Sequence, residues 1–174
     1  DKSLKLGYDR GIIKNSYNAG LTFYKIGRYK AAIEHFEKTL SILNYTGHSI
    51  LKIKSSSLIG KSLVRLKKYV DAQLYINNSI EDAKKLNSYY HYNRALINKV
   101  KMLLRLGEYN LASRIFDNEI IKNYPLEDSL VLELDLLEAD INKNRGKVKN
   151  SITKLQKHLV NEKEENIRAR IYKK

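Results

Sequence analysis

Apolar side chains recur along the chain at intervals of three, four and seven residues, which is the spacing of one face of a helix. Ile33, Phe36, Leu40 and Leu43 show this spacing clearly, and similar sets follow along the chain. No segment shows the convincing alternation of a strand, and the chain has only one proline and eight glycines. The pattern predicts eight helices, near residues 9–25, 29–44, 48–65, 69–86, 89–105, 109–123, 127–144 and 147–163.

The helical pattern repeats with a period of about 40 residues, which indicates a tandem array. Four short strings mark the repeat, and their last residues lie 40, 40 and 39 positions apart: Gly27-Arg28-Tyr29, Lys67-Lys68-Tyr69, Gly107-Glu108-Tyr109 and Gly146-Lys147-Val148. A glycine in this position suits a tight turn between helices that requires a positive φ. Lys67 interrupts the glycine column, so we expect a looser second turn.

Small and large residues keep the same register across the four copies. The small column comprises Ala32, Ala72, Ala112 and Ser151, and the large column comprises Phe36, Ile76, Phe116 and Leu155. A further column of modest size precedes the turn and comprises Gly20, Gly60, Val100 and Ala139. A small residue that faces a large one lets two antiparallel helices approach closely. We therefore expect these columns to form the contacts within and between helix pairs.

These residues, and residues 18–36 above all, resemble the tetratricopeptide repeat. The resemblance implies an all-α, right-handed α-solenoid of antiparallel helix pairs, with copies at 8–47, 48–87, 88–126 and 127–166. The period exceeds the 34 residues of the common form, which suggests longer helices. The fourth copy departs most from the family pattern, because Asn142, Val148 and Ser151 replace an aromatic residue, a tyrosine and an alanine. We expect a packing defect or a more mobile end there.

The repeat register also predicts where helices end. Gly7, Gly47 and Asn87 lie 40 positions apart, and each is expected to end a second helix in a left-handed conformation, as is Asn166. Residues 1–7 then form the tail of a preceding copy, and residues 167–174 form the start of a following one. We expect one array over residues 1–174, taken from a longer protein.

Composition and motifs indicate which kinds of function to expect. The chain has 33 Lys and Arg against 19 Asp and Glu, a net charge of +14, and no cysteine for a disulfide, thiolate metal site or nucleophile. No P-loop, dinucleotide fingerprint, nucleophile elbow or HExxH motif occurs. The six carboxylates of 127–140 fit a solvated acidic face, and the tyrosines at 89, 90 and 92 fit packing better than base stacking. We expect no enzyme, cofactor, metal, small-molecule substrate or membrane-inserted segment, and a cytoplasmic location.

The family resemblance implies a binding groove lined by the first helix of each copy. The partner-binding positions carried over from the family are Lys14, Tyr17, Leu21, Tyr24, Lys25, Lys54, Lys61, Val64, Arg65, Arg94, Ile97, Lys101, Leu104 and Arg105. Basic residues recur at equivalent positions in three copies, whereas Glu133 and Asp140 make the fourth copy acidic. Such a groove favours a protein or peptide of complementary charge, either acidic or amphipathic.

Three functions remain open at this point. The first is a protein-binding scaffold, which in long-period arrays resembles the sensory and regulatory regions of bacterial transcription regulators and sensor kinases. The second is a nucleic-acid-binding module that uses the basic surface, which the absence of a recognition motif makes unlikely. The third is a purely architectural spacer, in which the lysines reflect only the composition of the chain.

Overall fold

In the computed structural model, the described residues form helices joined by short turns. These residues are 2–43, 49–120, 128–144, 146, 151–153 and 155–156, and their side chains are described from Arg10 onward except at 128 and 129. Every regular element in these ranges is a helix, and none is a strand. The predicted all-α class is therefore confirmed.

Seven helices are described in full. They are α1 Lys2–Lys25, α2 Tyr29–Leu43, α3 Ile50–Arg65, α4 Tyr69–Lys85, α5 Tyr89–Leu106, α6 Tyr109–Asn118 and α7 Asp128–Asn144. Residues 151–153 and 155–156 are also helical. The main difference from the sequence prediction is in α1, which begins at Lys2 and continues through Gly7 without the expected break. The predicted caps at Gly47 and Asn166 lie outside the described residues.

The chain divides into two compact units, Asp1–Lys99 and Val100–Lys174, which we call unit 1 and unit 2. In unit 1, α1 packs on α2, α2 on α3, and α3 on α4; in unit 2, α6 packs on α7. Turns of three residues join α1 to α2 and α3 to α4, so each of these pairs is antiparallel. The predicted packing of neighbouring helices in pairs is confirmed.

Glycines, which have no side chain, allow the helices of each pair in unit 1 to approach closely. A Cβ atom on Gly20 would lie 2.6 Å from Cε1 of Phe36, and one on Gly60 would lie 2.7 Å from Cγ1 of Ile76. Both distances are shorter than any carbon–carbon contact that packing tolerates. The large column therefore fills the space that the glycines leave, as the register predicts.

In unit 2, the same columns are buried, and the fourth copy satisfies its polar substitutions internally. Ala112 and Phe116 are buried, and Leu155 packs with Ala139 in a cluster that also contains Leu132 and Leu136. The amide Nδ2 of Asn142 donates a hydrogen bond to Oγ of Ser151 at 2.9 Å. Because the two polar residues satisfy each other, their replacement of the family's aromatic and alanine does not leave them unpaired. Val148 lies outside the described residues.

The turns that close the helix pairs share one backbone geometry, including the turn at Lys67. Lys67 has φ +60°, like the glycines Gly27 at +80° and Gly107 at +79°. Its N–H donates to the carbonyl of Val64 at 3.1 Å, and the next N–H donates to the carbonyl of Leu63 at 2.9 Å. In the first turn, the N–H groups of Gly27 and Arg28 make the equivalent bonds, at 3.1 and 2.9 Å. This is the Schellman arrangement, so the expectation of a looser second turn is wrong.

Replacing Gly20 by alanine is expected to destabilise the protein by about 1–3 kcal/mol, because the added methyl group overlaps the buried ring of Phe36. Urea unfolding followed by circular dichroism measures this change. Gly11 provides the control in the same helix, because a Cβ there would meet nothing within 4 Å. Gly11→Ala is expected to stabilise by about 0.5–1 kcal/mol through helix propensity. Equal effects of the two substitutions would contradict the close-packing account.

Replacing Lys67 by glycine is expected to stabilise the protein by about 1 kcal/mol, because glycine adopts a positive φ without the steric penalty of a side chain. The midpoint of thermal unfolding should therefore rise. The control is Lys68→Gly, at a position with φ −88°, where glycine only adds freedom to the unfolded chain and should lower the midpoint. A fall in the midpoint for Lys67→Gly would show that its backbone is not strained.

Candidate functional site

Positive charge in unit 1 is concentrated on α1, α3 and the part of α5 that belongs to this unit. Residues 10–25, 50–65 and 89–99 contain no Asp or Glu. Their cations are Arg10, Lys14, Lys25, Lys52, Lys54, Lys61, Arg65, Arg94 and Lys99. The carboxylates on the other two helices of unit 1, α2 and α4, are Glu34, Glu37, Asp71, Glu81 and Asp82. Within these ranges the carboxylates are thus confined to α2 and α4, each of which also carries two lysines.

We call the surface formed by Tyr24, Lys54, Lys61, His91 and Arg94 the first-helix surface. A contact between α1 and α3 forms its first part. Nζ of Lys61 lies 5.5 Å from the centre of the Tyr24 ring, which is a cation–π contact between α3 and α1. The Tyr24 ring is held in turn by an edge contact with Tyr29, at 5.7 Å between ring centres. Lys61 and Tyr24 are both half-buried, so their positions are restricted.

Contacts between α3 and α5 position the other part of the first-helix surface. The amide Nδ2 of Asn98 donates a hydrogen bond to Oγ of Ser57 at 2.7 Å. Asn98 is only 8% exposed, and this part-buried hydrogen bond holds α5 against α3 because breaking it leaves the amide without a partner. Lys54 on α3 and Arg94 on α5 both lie close enough to His91 to affect its pKa.

His91 reports the positive potential of this region. Burial of the ring lowers the pKa of His91 below its ordinary value, and the charges of Lys54 and Arg94 lower it further. Nδ1 lies 2.8 Å from Oγ of Ser88, whereas the buried Nε2 has no hydrogen-bond partner within the described structure. No carboxylate contributes to the shift in the pKa. Burial first, and the two cations second, therefore hold the His91 ring in its neutral form.

The tyrosines at the start of α5 are engaged by the protein's own cations. The guanidinium of Arg94 lies 5.8 Å from the ring centre of Tyr90, and Nζ of Lys84 lies 5.3 Å from the ring centre of Tyr92. The Tyr90 ring also makes an edge contact with the His91 ring, at 5.1 Å between centres. The contacts of Tyr90 and Tyr92 agree with the sequence prediction of packing, whereas Tyr89 is 47% exposed.

The fourteen predicted groove residues differ widely in exposure. Five are exposed: Lys14, Lys25, Lys54, Arg65 and Arg105. Seven are partly buried: Tyr17, Leu21, Tyr24, Lys61, Arg94, Lys101 and Leu104. Val64 is 8% exposed and Ile97 is 1% exposed, so both belong to the core and do not offer apolar surface to a partner. The structure corrects their assignment to the groove lining. Helical spacing alone does not show whether an apolar side chain faces the core or the surface.

Tyr17 packs inside the first helix pair. Its ring lies 5.7 Å from the ring of Phe36 on α2, and its burial raises the pKa of the phenol. This residue is thus held by α2, and its contribution to a ligand surface is limited to the part that remains accessible.

Unit 2 contains three of the predicted groove residues, Lys101, Leu104 and Arg105. Nζ of Lys101 donates a hydrogen bond to Oε1 of Glu133 on α7, and the two side chains form an ion pair. The acidic residue of the fourth copy therefore neutralises the basic residue of the third. Lys101 does not add an uncompensated charge to a positive surface, although the sequence predicts it as part of one.

Sequence reasoning placed Ser57 in the groove but missed its partner Asn98 and also missed His91. No spacing along the chain relates them, because they come together only when α3 packs beside α5. In the described part of the chain, no three His, Asp or Glu side chains are arranged to hold a metal ion. The helices of that part also include none with the length and apolar character needed to cross a membrane.

Comparison of the chain with protein-family models, curated proteins and solved structures found no match. The resemblance to the tetratricopeptide repeat thus rests on the residues quoted above. It stays a prediction.

Replacing Lys54 by glutamine is expected to raise the pKa of His91, because it removes one of the two charges that oppose protonation of the ring. A proton NMR titration of the imidazole measures this shift. Lys25→Gln on α1 is the matched control and should leave the titration unchanged, since Lys25 does not contribute to the lowered pKa. An unchanged His91 pKa in the Lys54 variant would mean that α3 and α5 do not bring these charges together.

The same histidine should make stability depend on pH in one direction. Because the pKa of His91 is lower in the folded protein than in the unfolded chain, the unfolded chain binds more protons just below the ordinary value of 6.5. The free energy of unfolding should therefore fall as the pH drops below 6.5, and level off below the folded pKa. Urea unfolding across this range checks the slope, which should be smaller in Lys54→Gln.

Proposed function

We propose that unit 1 binds an acidic segment of a partner protein on its first-helix surface. The observation that carries this proposal is the distribution of charge: residues 10–25, 50–65 and 89–99, on α1, α3 and α5, include nine cations and no carboxylate. A surface of one sign attracts a ligand of the opposite sign and speeds its association. Lys54 and Arg94 both lie near the His91 ring, where their charges oppose its protonation.

A protein segment suits this surface better than a nucleic acid does. Recognition of single-stranded nucleic acid uses aromatic rings on which bases stack, and the rings of Tyr24, Tyr90 and Tyr92 are contacted by cations of this chain. Leu21 and Tyr24 are partly accessible beside the cations. Together they offer modest apolar contacts, which an amphipathic acidic segment can use.

We extend the proposal to the architecture of the whole array. The repeat register and the packed helix pairs support a right-handed solenoid of the tetratricopeptide type, serving as the cytoplasmic regulatory region of a larger bacterial protein. A purely architectural spacer is the competing function. It requires no ligand, so binding experiments separate the two.

Reversing the charge of Lys54 and Lys61 to glutamate is expected to weaken binding of acidic segments at least tenfold, through slower association and repulsion. A displayed library of random dodecapeptides selected on the wild-type protein supplies the ligands. Fluorescence anisotropy of the enriched peptides, at low and high salt, then compares the two proteins. We expect the enriched peptides to combine acidic and apolar residues.

The control reverses two exposed lysines of α2, Lys30 and Lys38, and should leave the affinity within twofold. Enrichment of peptides without acidic residues would contradict the proposal, as would equal weakening by the two double variants. A dodecamer of single-stranded DNA tests the alternative ligand. Tighter binding of the DNA than of any peptide, with a steep loss in salt, would favour nucleic acid.

A further inference from the structure

A polar cavity lies between α2, α3 and α4 of unit 1, and it is lined by side chains outside the first-helix surface. Its volume is about 550 Å³, which is within the range that holds small ligands. Charged side chains of both signs line it: Glu37, Lys52, Glu81, Asp82 and Lys85. Leu40 and the ring of Tyr75 add apolar surface. The mixture of charges indicates a ligand that itself carries both signs.

The least accessible charges of the cavity neutralise each other. Nζ of Lys52 lies 3.4 Å from Oδ2 of Asp82, and their side chains are 25% and 9% exposed. Each charge of the pair has a partner of opposite sign without a ligand. Ser56, which is 3% exposed, adds a hydroxyl group beside the pair. The ion pair therefore forms a neutral polar base for the cavity.

The more exposed side of the cavity contains a second fixed contact. Oη of Tyr75 donates a hydrogen bond to Oε1 of Glu37 at 2.9 Å, which joins α4 to α2. Burial, this hydrogen bond and the charges of Glu37 and Asp71 raise the pKa of Tyr75 to about 12. The phenol is therefore a hydrogen-bond donor at neutral pH. It holds one carboxylate oxygen of Glu37 and leaves the other able to accept from a ligand.

The charges that remain define the complementary ligand. Three carboxylates and two lysines line the cavity, so its lining has one excess negative charge. With the Lys52–Asp82 pair neutral, the exposed Glu37, Glu81 and Lys85 are left to meet the ligand. A ligand that matches them carries two cationic groups and one carboxylate.

We propose that this cavity binds a free dibasic amino acid of the arginine or lysine type. The α-ammonium and the side-chain cation bind Glu37 and Glu81, which come from α2 and α4. The α-carboxylate binds Lys85. The aliphatic stem of the ligand contacts Leu40 and the ring of Tyr75. This site is separate from the peptide surface, and its ligand is a small metabolite.

Isothermal titration of the full chain with L-arginine tests the proposal. We expect binding of one molecule, with a Kd on the order of 0.1–1 mM for a ligand of this size. L-citrulline replaces the guanidinium by a neutral group of similar shape and should bind at least tenfold more weakly. Agmatine lacks the carboxylate and should also bind more weakly, because it loses the contact with Lys85. Failure of L-arginine to bind at 10 mM, a concentration on the order of ten times that Kd, overturns the proposal.

Two variants locate the site. One further ligand distinguishes a free amino acid from an arginine side chain within a peptide. Glu81→Gln should weaken binding of L-arginine at least fivefold, whereas Glu34→Gln, an exposed change on α2 outside the cavity, should not. Both glutamates are exposed, so thermal unfolding should show both variants folded. N-acetyl-L-arginine N-methylamide presents only the guanidinium, as an arginine within a peptide does. If it binds as tightly as L-arginine, or if Glu34→Gln weakens binding equally, the proposed amino-acid site is wrong.

Discussion

The packing of unit 1 depends on a contact between a glycine and a large residue sixteen positions later in the same helix pair. Gly20 receives the ring of Phe36, and Gly60 receives the side chain of Ile76. Neither pair leaves room for a β-carbon, so the helix backbones come closer than ordinary side chains allow. The small residues Ala32 and Ala72, which are fully buried, extend the same close contact. One face of each helix is committed to this packing, and the polar side chains occupy the faces that remain.

The turns follow from this packing and not from local preference alone. Lys67 and Asn87 adopt positive φ values of 60° and 50°, although neither is glycine. Their N–H groups make the same two bonds to the preceding helix as those of Gly27 and the residue after it. A single strained residue costs about 1–2 kcal/mol, which the buried contacts of a helix pair exceed. The packing of α3 against α4 therefore holds Lys67 in a conformation that lysine does not favour by itself.

The separation of charge in unit 1 accounts for both proposed sites. Lys54, Lys61 and Arg94, which lie on segments of α3 and α5 without a carboxylate, provide the cations of the first-helix surface. Carboxylates on α2 and α4 give the cavity its excess negative charge. Lys52 is the cation of α3 that contributes to the cavity, where Asp82 neutralises it. In unit 2, Lys101 pairs with Glu133, whereas Lys61, the equivalent residue one repeat earlier, contacts the ring of Tyr24. Equivalent positions of a repeat thus differ in function according to the residue that packs against them.

By itself, the sequence determined the helices, most of their boundaries and the buried columns. These depend on spacing along one helix and on the repetition of the spacing, so Ala72, Ile76 and Gly60 could be identified without coordinates. Only the tertiary structure decided that α1 continues through Gly7, that Val64 and Ile97 are covered, and that Lys101 is neutralised. It also decided that the charges of Lys54 and Arg94 act on His91 and that Glu37 accepts a hydrogen bond from Tyr75. Contacts such as Lys101 with Glu133 and Glu37 with Tyr75 join residues more than 30 positions apart, and the packing of the helices sets their distance, which spacing along the chain does not encode.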